Sequence, residues 1–365
     1  MISRRQNVPL SSLTTMQLGG LARFVITVTS NRELLEALDF ACKQAVPWYV
    51  LGGGSNVVAL GDYPGLIILN AITGFRIVEE DDCSATFAVG AGEIWDAAVE
   101  SLAQAGLSGV EAMSGIPGTV GAAPIQNAGA YGQDISQVLL ELEAYDSGAQ
   151  AFINLTNQDC GFSYRQSIFK SPKPHNPPAA AFTPASASAS ASASASASES
   201  PRYIITRLTM KLRKSSLEPP FYPSLQEYLN LHSQSDYSPQ AIRNAVLAIR
   251  SDRLPDPAHV ASAGSFFENP IVDSSLAEDL LRSYPDAPHW LQDEGKVKLA
   301  AGWLIEQSGL KAYSAHGLQL YPKNALVVTN LNAQTGADLE QFKSEIVNTV
   351  QARFGIILEQ EPQSL

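Results

Sequence analysis

The chain has 365 residues, is 45% hydrophobic and 16% charged, and carries a formal net charge of −12. That length allows two or three domains with ample core, and the acidity argues against nucleic acid as a partner. Residues 202–330 hold 13 Lys+Arg and 13 Asp+Glu, so the whole acidic surplus lies elsewhere and an anionic substrate is repelled least there.

In chain order, Ser30-Asn31-Arg32-Glu33 reads as a capping box, and Leu34, Leu35, Leu38, Ala41 and Cys42 continue one helical face. A strand-like run over 46–51 leads into Gly52-Gly53-Gly54-Ser55-Asn56-Val57. Val57 occupies the place of the third glycine of G-x-G-x-x-G. A second strand-like run over 65–69 follows with no room for a crossover helix, which excludes a Rossmann unit and predicts strand–loop–strand. Residues 93–104 read as a second helix with Gly106 as its stop. From 112 to 133 no residue is charged, but five glycines and two prolines exclude a membrane helix. Both a buried tight loop and a cradle of N–H groups for an anion fit this stretch.

Residues 139–144, 152–155 and 162–169 read as strands. The stretch 171–201, Pro-rich and then Ala-Ser alternating, buries too little apolar surface to order itself and reads as an insertion in a hairpin, with strand alternation resuming at Tyr203. Ser238-Pro239 opens a helix with Ile242, Ala245, Val246 and Ile249 inward. Residues 297–307 and 335–354 read as further helices, closed near Gly309 and Gly355, and 356–358 as the start of a final strand. The C-terminal third is therefore expected to be a compact α+β unit.

Cys42, Cys83 and Cys160 are far apart and odd in number, which fits neither a disulfide framework nor a metal signature. The first twenty residues lack the apolar core of a signal peptide, so a cytoplasmic setting is expected. Three segments bear polar chemistry. In 162–167 the strand pattern sends Tyr164 and Arg165 to opposite sides, and an arginine so placed is ordinarily paired or solvent-facing. Ser265, between Gly264 and two phenylalanines, reads as a cap or turn residue, because G-x-S-x-G is absent. Glu359 and Glu361 share one face of an extended segment, a pattern that leaves both solvated.

Taken together, six motifs in order resemble the UDP-N-acetylenolpyruvoylglucosamine reductase family, also called UDP-N-acetylmuramate dehydrogenase. They are LGGGSN at 51–56, IPGTVGAAPIQNAGAYG at 116–132, FSYRQS at 162–167, RLPDP at 253–257, GSFFENP at 264–270 and KLAAGWLI at 298–305. The resemblance implies an α+β fold: a two-part FAD-binding region of the vanillyl-alcohol-oxidase type (1–70 and 71–215, interrupted by 171–201) and a C-terminal α+β substrate domain at 216–365. It implies noncovalent FAD held by Gly52, Gly53, Gly54, Ser55, Asn56, Val57, Gly115, Ile116, Pro117, Gly118, Gly121, Ala122, Gln126, Asn127, Gly129, Ala130, Tyr131 and Arg250. NADPH is the implied reductant and a UDP-linked amino-sugar enolpyruvate the implied substrate of a monomeric enzyme.

By the same resemblance Arg165 holds the substrate carboxylate, Glu361 assists as a protonated donor and Ser265 delivers a proton to carbon. Tyr164, Tyr222, Arg253, Asn269, Trp290, Lys311 and Asn324 match substrate positions, with Tyr222 the lid tyrosine of one subclass. Trp290, Arg253 and Asn324 replace a frequent tyrosine, lysine and glutamine, and Pro362-Gln363 stands where an arginine often follows the glutamate. An FAD-dependent oxidase of the same cofactor fold is the alternative. Many such oxidases attach FAD through a histidine in the cofactor domain, and the first histidine here is His175.

Overall fold

The computed structural model describes residues 2–170 and 200–365. The first sheet has the order Arg4–Pro9, Leu21–Val28, Tyr63–Asn70, Trp48–Leu51, with the first pair antiparallel and the others parallel. Helix α1 (Asn31–Lys43) covers one face, where Leu34, Ala37 and Ala41 meet Phe24, Ile26, Leu66 and Ile68. Val25 and Ile67 point to the opposite face and pack on Leu10, Ala22, Leu51 and Tyr63. Burial on both faces is why 66–68 is continuously apolar rather than alternating. The Ser30 hydroxyl caps α1 by accepting from Glu33 N–H, but the Glu33 carboxylate reaches past Ser30 to the N–H and hydroxyl of Thr29. Trp48–Leu51 and Tyr63–Asn70 run parallel with no helix between them, the strand–loop–strand that the spacing requires.

The second sheet is antiparallel, in the order Ala151–Thr156, Leu139–Asp146, Tyr203–Arg213, Ser84–Gly90, Phe75–Glu80. Helix α2 (Trp95–Gln104) packs on it through Trp95, Val99 and Leu102, and left-handed Gly106 follows its C-terminus. Tyr145, Phe152 and Ile204 from this sheet pack into the cluster that contains α1, joining the two parts. The insertion reading at 171–201 falls almost wholly outside the described residues; at its edge, the Ser200 hydroxyl accepts from Trp48 N–H at 3.0 Å.

Helices α3 (Pro223–Leu231) and α4 (Pro239–Arg253) pack on the uncharged segment through Phe221, Leu225, Ile242, Val246 and Ile249 against Ala112 and Tyr131. The rest of the chain builds a four-stranded sheet (Ser262–Ser265, Asn324–Asn330, Leu318–Tyr321, Ser314–Ala315) and a three-stranded one (Ile271–Asp273, Lys296–Leu299, His289–Gln292). Helices α5 (Ser274–Ser283), α6 (Ala301–Gln307) and α7 (Gly336–Phe354) share their core, which includes Phe266, Phe267, Phe342 and Ile346. Met16, Leu18 and Val58 enter the same core from the N-terminal part. Thr335 and Asp338 close a complete capping box on α7, and left-handed Gly355 ends it. No helix among the described residues is long and apolar enough to cross a membrane.

Three expectations about local structure are corrected. Residues 162–169 form no strand: Ser163 and Gln166 exchange backbone hydrogen bonds across a two-residue turn with Arg165 left-handed at φ +54°. Residues 296–299 are a strand, and the helix starts only at Ala301, because Asn269 Oδ1 accepts from Ala301 N–H and Val297 and Leu299 alternate inward. Residues 356–358 form no strand; the tail enters a sheet only at Gln363–Ser364, parallel to Val57–Val58.

Candidate active site

The two glycine-bearing turns lie backbone against backbone. A Cβ on Gly53 would stand 2.8 Å from Gly118 Cα, and one on Gly54, itself at φ +62°, would stand 2.1 Å from the Leu13 carbonyl oxygen. No side chain fits either approach, which is the physical content of the triple glycine. The Ser55 hydroxyl ties the turns together by donating to the Pro117 carbonyl at 2.9 Å. Among the described residues the N–H groups of Gly53, Gly54, Ser55, Ile116 and Gly118 find no acceptor. Gly115 and Gly121 differ: their N–H groups donate to Asp96 Oδ1 at 2.6 Å and to the Ala91 carbonyl at 2.8 Å. The unpaired N–H groups form a cradle suited to a dinucleotide's diphosphate. The residues present therefore fit FAD.

Asp96 is itself held by Arg243 of α4, with Nη1 to Oδ1 at 2.6 Å and Nη2 to Oδ2 at 2.9 Å. Burial raises the Asp96 carboxyl, but the hydrogen bonds from Arg243 and Gly115 and the arginine charges outweigh it, leaving the group below the usual range. Arg250, two turns further along the same face of α4, donates to the Gly115 carbonyl at 3.0 Å and lies close to Tyr131. Tyr131, at φ +48°, meets Tyr222 edge-on with ring centres 5.9 Å apart. Burial raises both phenols.

From the first turn, a polar chain crosses to the C-terminal segment. Asn56 Nδ2 donates to Gln126 Oε1 at 2.8 Å, Gln126 Nε2 donates to Glu361 Oε1 at 3.0 Å, and Arg165 Nε lies 2.9 Å from the same oxygen. The Arg165 Nε–H is not aimed at that oxygen and has no hydrogen-bond acceptor, so the contact is ionic rather than a formed hydrogen bond. Glu361 is 7% exposed, which corrects the expectation of a solvated carboxylate; Glu359 is exposed. Burial raises the Glu361 carboxyl, Glu268 adds to the rise, and Arg165, Lys170 and Gln126 oppose it. The raised pKa is the direction a proton-holding carboxyl needs. The absent arginine after Glu361 is replaced by tail contacts: Gln363 N–H donates to the Asn56 carbonyl at 3.0 Å, and Tyr49 donates to Gln363 Oε1 at 2.7 Å.

Ser265 ends its strand one residue before Phe266, whose carbonyl accepts from Glu361 N–H at 2.9 Å. Its hydroxyl makes no hydrogen bond among the described residues. Serine, arginine and glutamate, separated by up to 196 positions in sequence, thus converge on one place. The Arg165 turn is docked on the glycine segment by Asn127 Nδ2 donating to the Ser163 carbonyl at 3.2 Å and by Ser167 Oγ donating to the Ile125 carbonyl at 2.6 Å. Tyr164 and Arg165 do not diverge as alternation predicted; the turn folds the guanidinium to 5.5 Å from the Tyr164 ring.

Of the other positions, Trp290 and Tyr164 flank Lys298, whose Nζ is 5.3 and 4.4 Å from their ring centres. Burial and the Arg165 charge lower the Lys298 amine. Arg253 and Asn324 line one cleft of about 500 Å³ with Asp252, Lys323 and Glu306. Asn269 caps α6, whereas Lys311 is exposed and without a hydrogen bond or ion pair among the described residues. Sequence reasoning singled out none of Asp96, Lys170, Arg243, Glu268 and Lys298; each is a charged residue whose partner lies far away in the chain.

Fold and site together define a flavin-binding oxidoreductase. The family model for the FAD binding domain matches residues 22–151, and that for the UDP-N-acetylenolpyruvoylglucosamine reductase C-terminal domain matches residues 256–365. The chain is 39% identical over 354 residues to UDP-N-acetylenolpyruvoylglucosamine reductase of Cupriavidus pinatubonensis, covering 97% of each. It is 37% identical over 357 residues to that of Ralstonia nicotianae, again covering 97% of each. The crystal structure of the Thermus caldophilus reductase superposes with a TM-score of 0.63 at 25% identity, covering 100% of this chain and 98% of the other. The chain belongs to the UDP-N-acetylenolpyruvoylglucosamine reductase family.

Proposed function

We propose that the protein uses NADPH to reduce the enolpyruvyl group of UDP-N-acetylglucosamine enolpyruvate to UDP-N-acetylmuramate, a cytoplasmic step in making the peptidoglycan precursor. The observation that carries this reading is the Asn56–Gln126–Glu361–Arg165 chain, which runs from the glycine cradle to a buried carboxyl one backbone hydrogen bond from the Ser265 strand. FAD held by the two glycine turns at 52–57 and 115–132 would supply the two-electron chemistry between NADPH and the substrate. Reduction at the methylene carbon develops negative charge on the neighbouring carbon and its carboxylate. Arg165 binds that carboxylate, and fixed charge in a water-poor site stabilises the enolate most. Burial raises the Glu361 carboxyl and so favours its neutral form, the form in which it assists by donating a hydrogen bond to the same oxygens. Ser265, with a free hydroxyl, gives the proton to carbon.

The test is oxidation of NADPH by the purified flavoprotein, with and without the UDP-linked enolpyruvyl sugar. Turnover that requires the sugar and yields UDP-N-acetylmuramate is expected; an NADPH-independent oxidase that consumes oxygen and an alcohol instead would overturn the reading. Ser265→Ala should leave flavin reduction by NADPH fast and slow reoxidation by substrate by about 10²–10⁴. Equal slowing of both half-reactions would remove Ser265 from its role.

A further inference from the structure

Arg165 sits at φ +54° in the turn that presents its guanidinium. A bulky side chain seldom adopts this conformation, and it persists only where its surroundings hold it. The turn's own backbone bonds fix its ends, and Asn127 holds the Ser163 carbonyl. The carbonyl of Arg165 is held by another group: Lys170 Nζ donates to it at 3.0 Å and pairs at the same time with Glu268. Both side chains are largely buried, 17% exposed for Lys170 and 13% for Glu268. Glu268 lies three residues beyond Ser265, and its N–H donates to the Glu359 carbonyl at 2.9 Å, two residues before Glu361. One ammonium therefore joins the arginine turn of the cofactor half to the segments that bear the serine and the glutamate.

We propose that Lys170 and Glu268 are positioning residues, a clamp that holds the left-handed Arg165 turn in register with Ser265 and Glu361 for the substrate half-reaction. Lys170 acts as a donor to a carbonyl and as a cation to Glu268, and both roles are needed. This inference rests on the proposed reductase activity. A carboxylate at 170 can restore an ion pair with a lysine at 268, but it cannot donate to the Arg165 carbonyl. Arginine at 170 can do both. The two replacements therefore separate a clamp on Arg165 from an ion pair that merely joins two halves.

The experiment uses the FAD-loaded enzyme and rapid mixing of each half-reaction, with flavin content and thermal unfolding recorded for every variant. Wild type must first oxidise NADPH with the enolpyruvyl sugar; if it does not, the reductase reading itself fails. Given that turnover, Lys170→Met is expected to keep its flavin and its reduction by NADPH but to slow reoxidation by substrate about 10–100-fold, as a displaced reacting group does. Lys170→Arg should recover most of the rate, and the double exchange Lys170→Glu with Glu268→Lys should not. If Lys170→Met does not fold, the comparison of Lys170→Arg with the exchange still decides. Reoxidation at the wild-type rate in Lys170→Met, or full recovery in the exchanged pair, would overturn the clamp while leaving the reductase reading intact.

Discussion

Removing the Asp96 carboxylate should loosen the cofactor cradle at a predictable cost. Arg243 has only 4% of its side chain exposed, and Asp96 is its bidentate counter-ion. Breaking a buried pair from one side costs about 3–5 kcal/mol, because the remaining charge stays buried. Asp96 is 35% exposed, and Glu100 lies 3.9 Å from the same guanidinium as a partial substitute, so the cost is discounted below that range, to about 2–3 kcal/mol. The Gly115 N–H also loses its acceptor, adding about 1 kcal/mol. Asp96→Ala should therefore shift the urea unfolding midpoint downward by about 1 M, since the slope for a chain of this length is about 3 kcal/mol/M or steeper. Since the folded carboxyl is held below its unfolded pKa, its contribution is full above about pH 4 and fades as pH falls further. The gap between wild type and variant should narrow only in strong acid. Pairing Asp96→Leu with Arg243→Met removes both charges and should recover much of the loss. A shift too small to measure in Asp96→Ala, or no recovery in the double variant, would refute the reasoning.

Two further outcomes follow from the same geometry. Because burial raises the Glu361 carboxyl, substrate reoxidation of the flavin should decline as pH rises through a pKa above the ordinary carboxylate value; Glu361→Gln should be slower and lack that limb, as read from stopped-flow rates across pH. Gly54→Ala places a methyl group 2.1 Å from the Leu13 carbonyl at φ +62°, adding about 1–2 kcal/mol of left-handed backbone cost to the clash, so the variant should purify largely without flavin while retaining its helix content by circular dichroism.

The order of elements was largely legible in the chain. Ser30 and Thr335 cap helices because a hydroxyl before an amphipathic run has a local partner, and Gly106 and Gly355 stop helices because only their own backbone angles are at issue. The excluded Rossmann unit rested on the short spacing between Gly54 and the next apolar run, which is also local. The errors cluster where a distant partner overrides local pattern. Alternation in 162–169 looked like a strand, yet the turn is held by Asn127, Ile125 and Lys170. Residues 297–299 looked helical, yet Asn269 sets the helix start at Ala301.

Sequence alone determined the glycine turns, the caps and the family motifs, since each depends on steric or hydrogen-bonding demands within a few residues. Tertiary structure decided the electrostatics. Glu361 is a raised, buried carboxyl rather than a solvated one only because the C-terminal tail returns beside Val57–Val58 and is sealed by Phe266 and Gln126. Arg165 becomes its ionic partner only because the two halves close on each other. Desolvation depends on what surrounds a group in space, and for this carboxyl the surroundings come from residues 49–57, 126, 165–170 and 266–268.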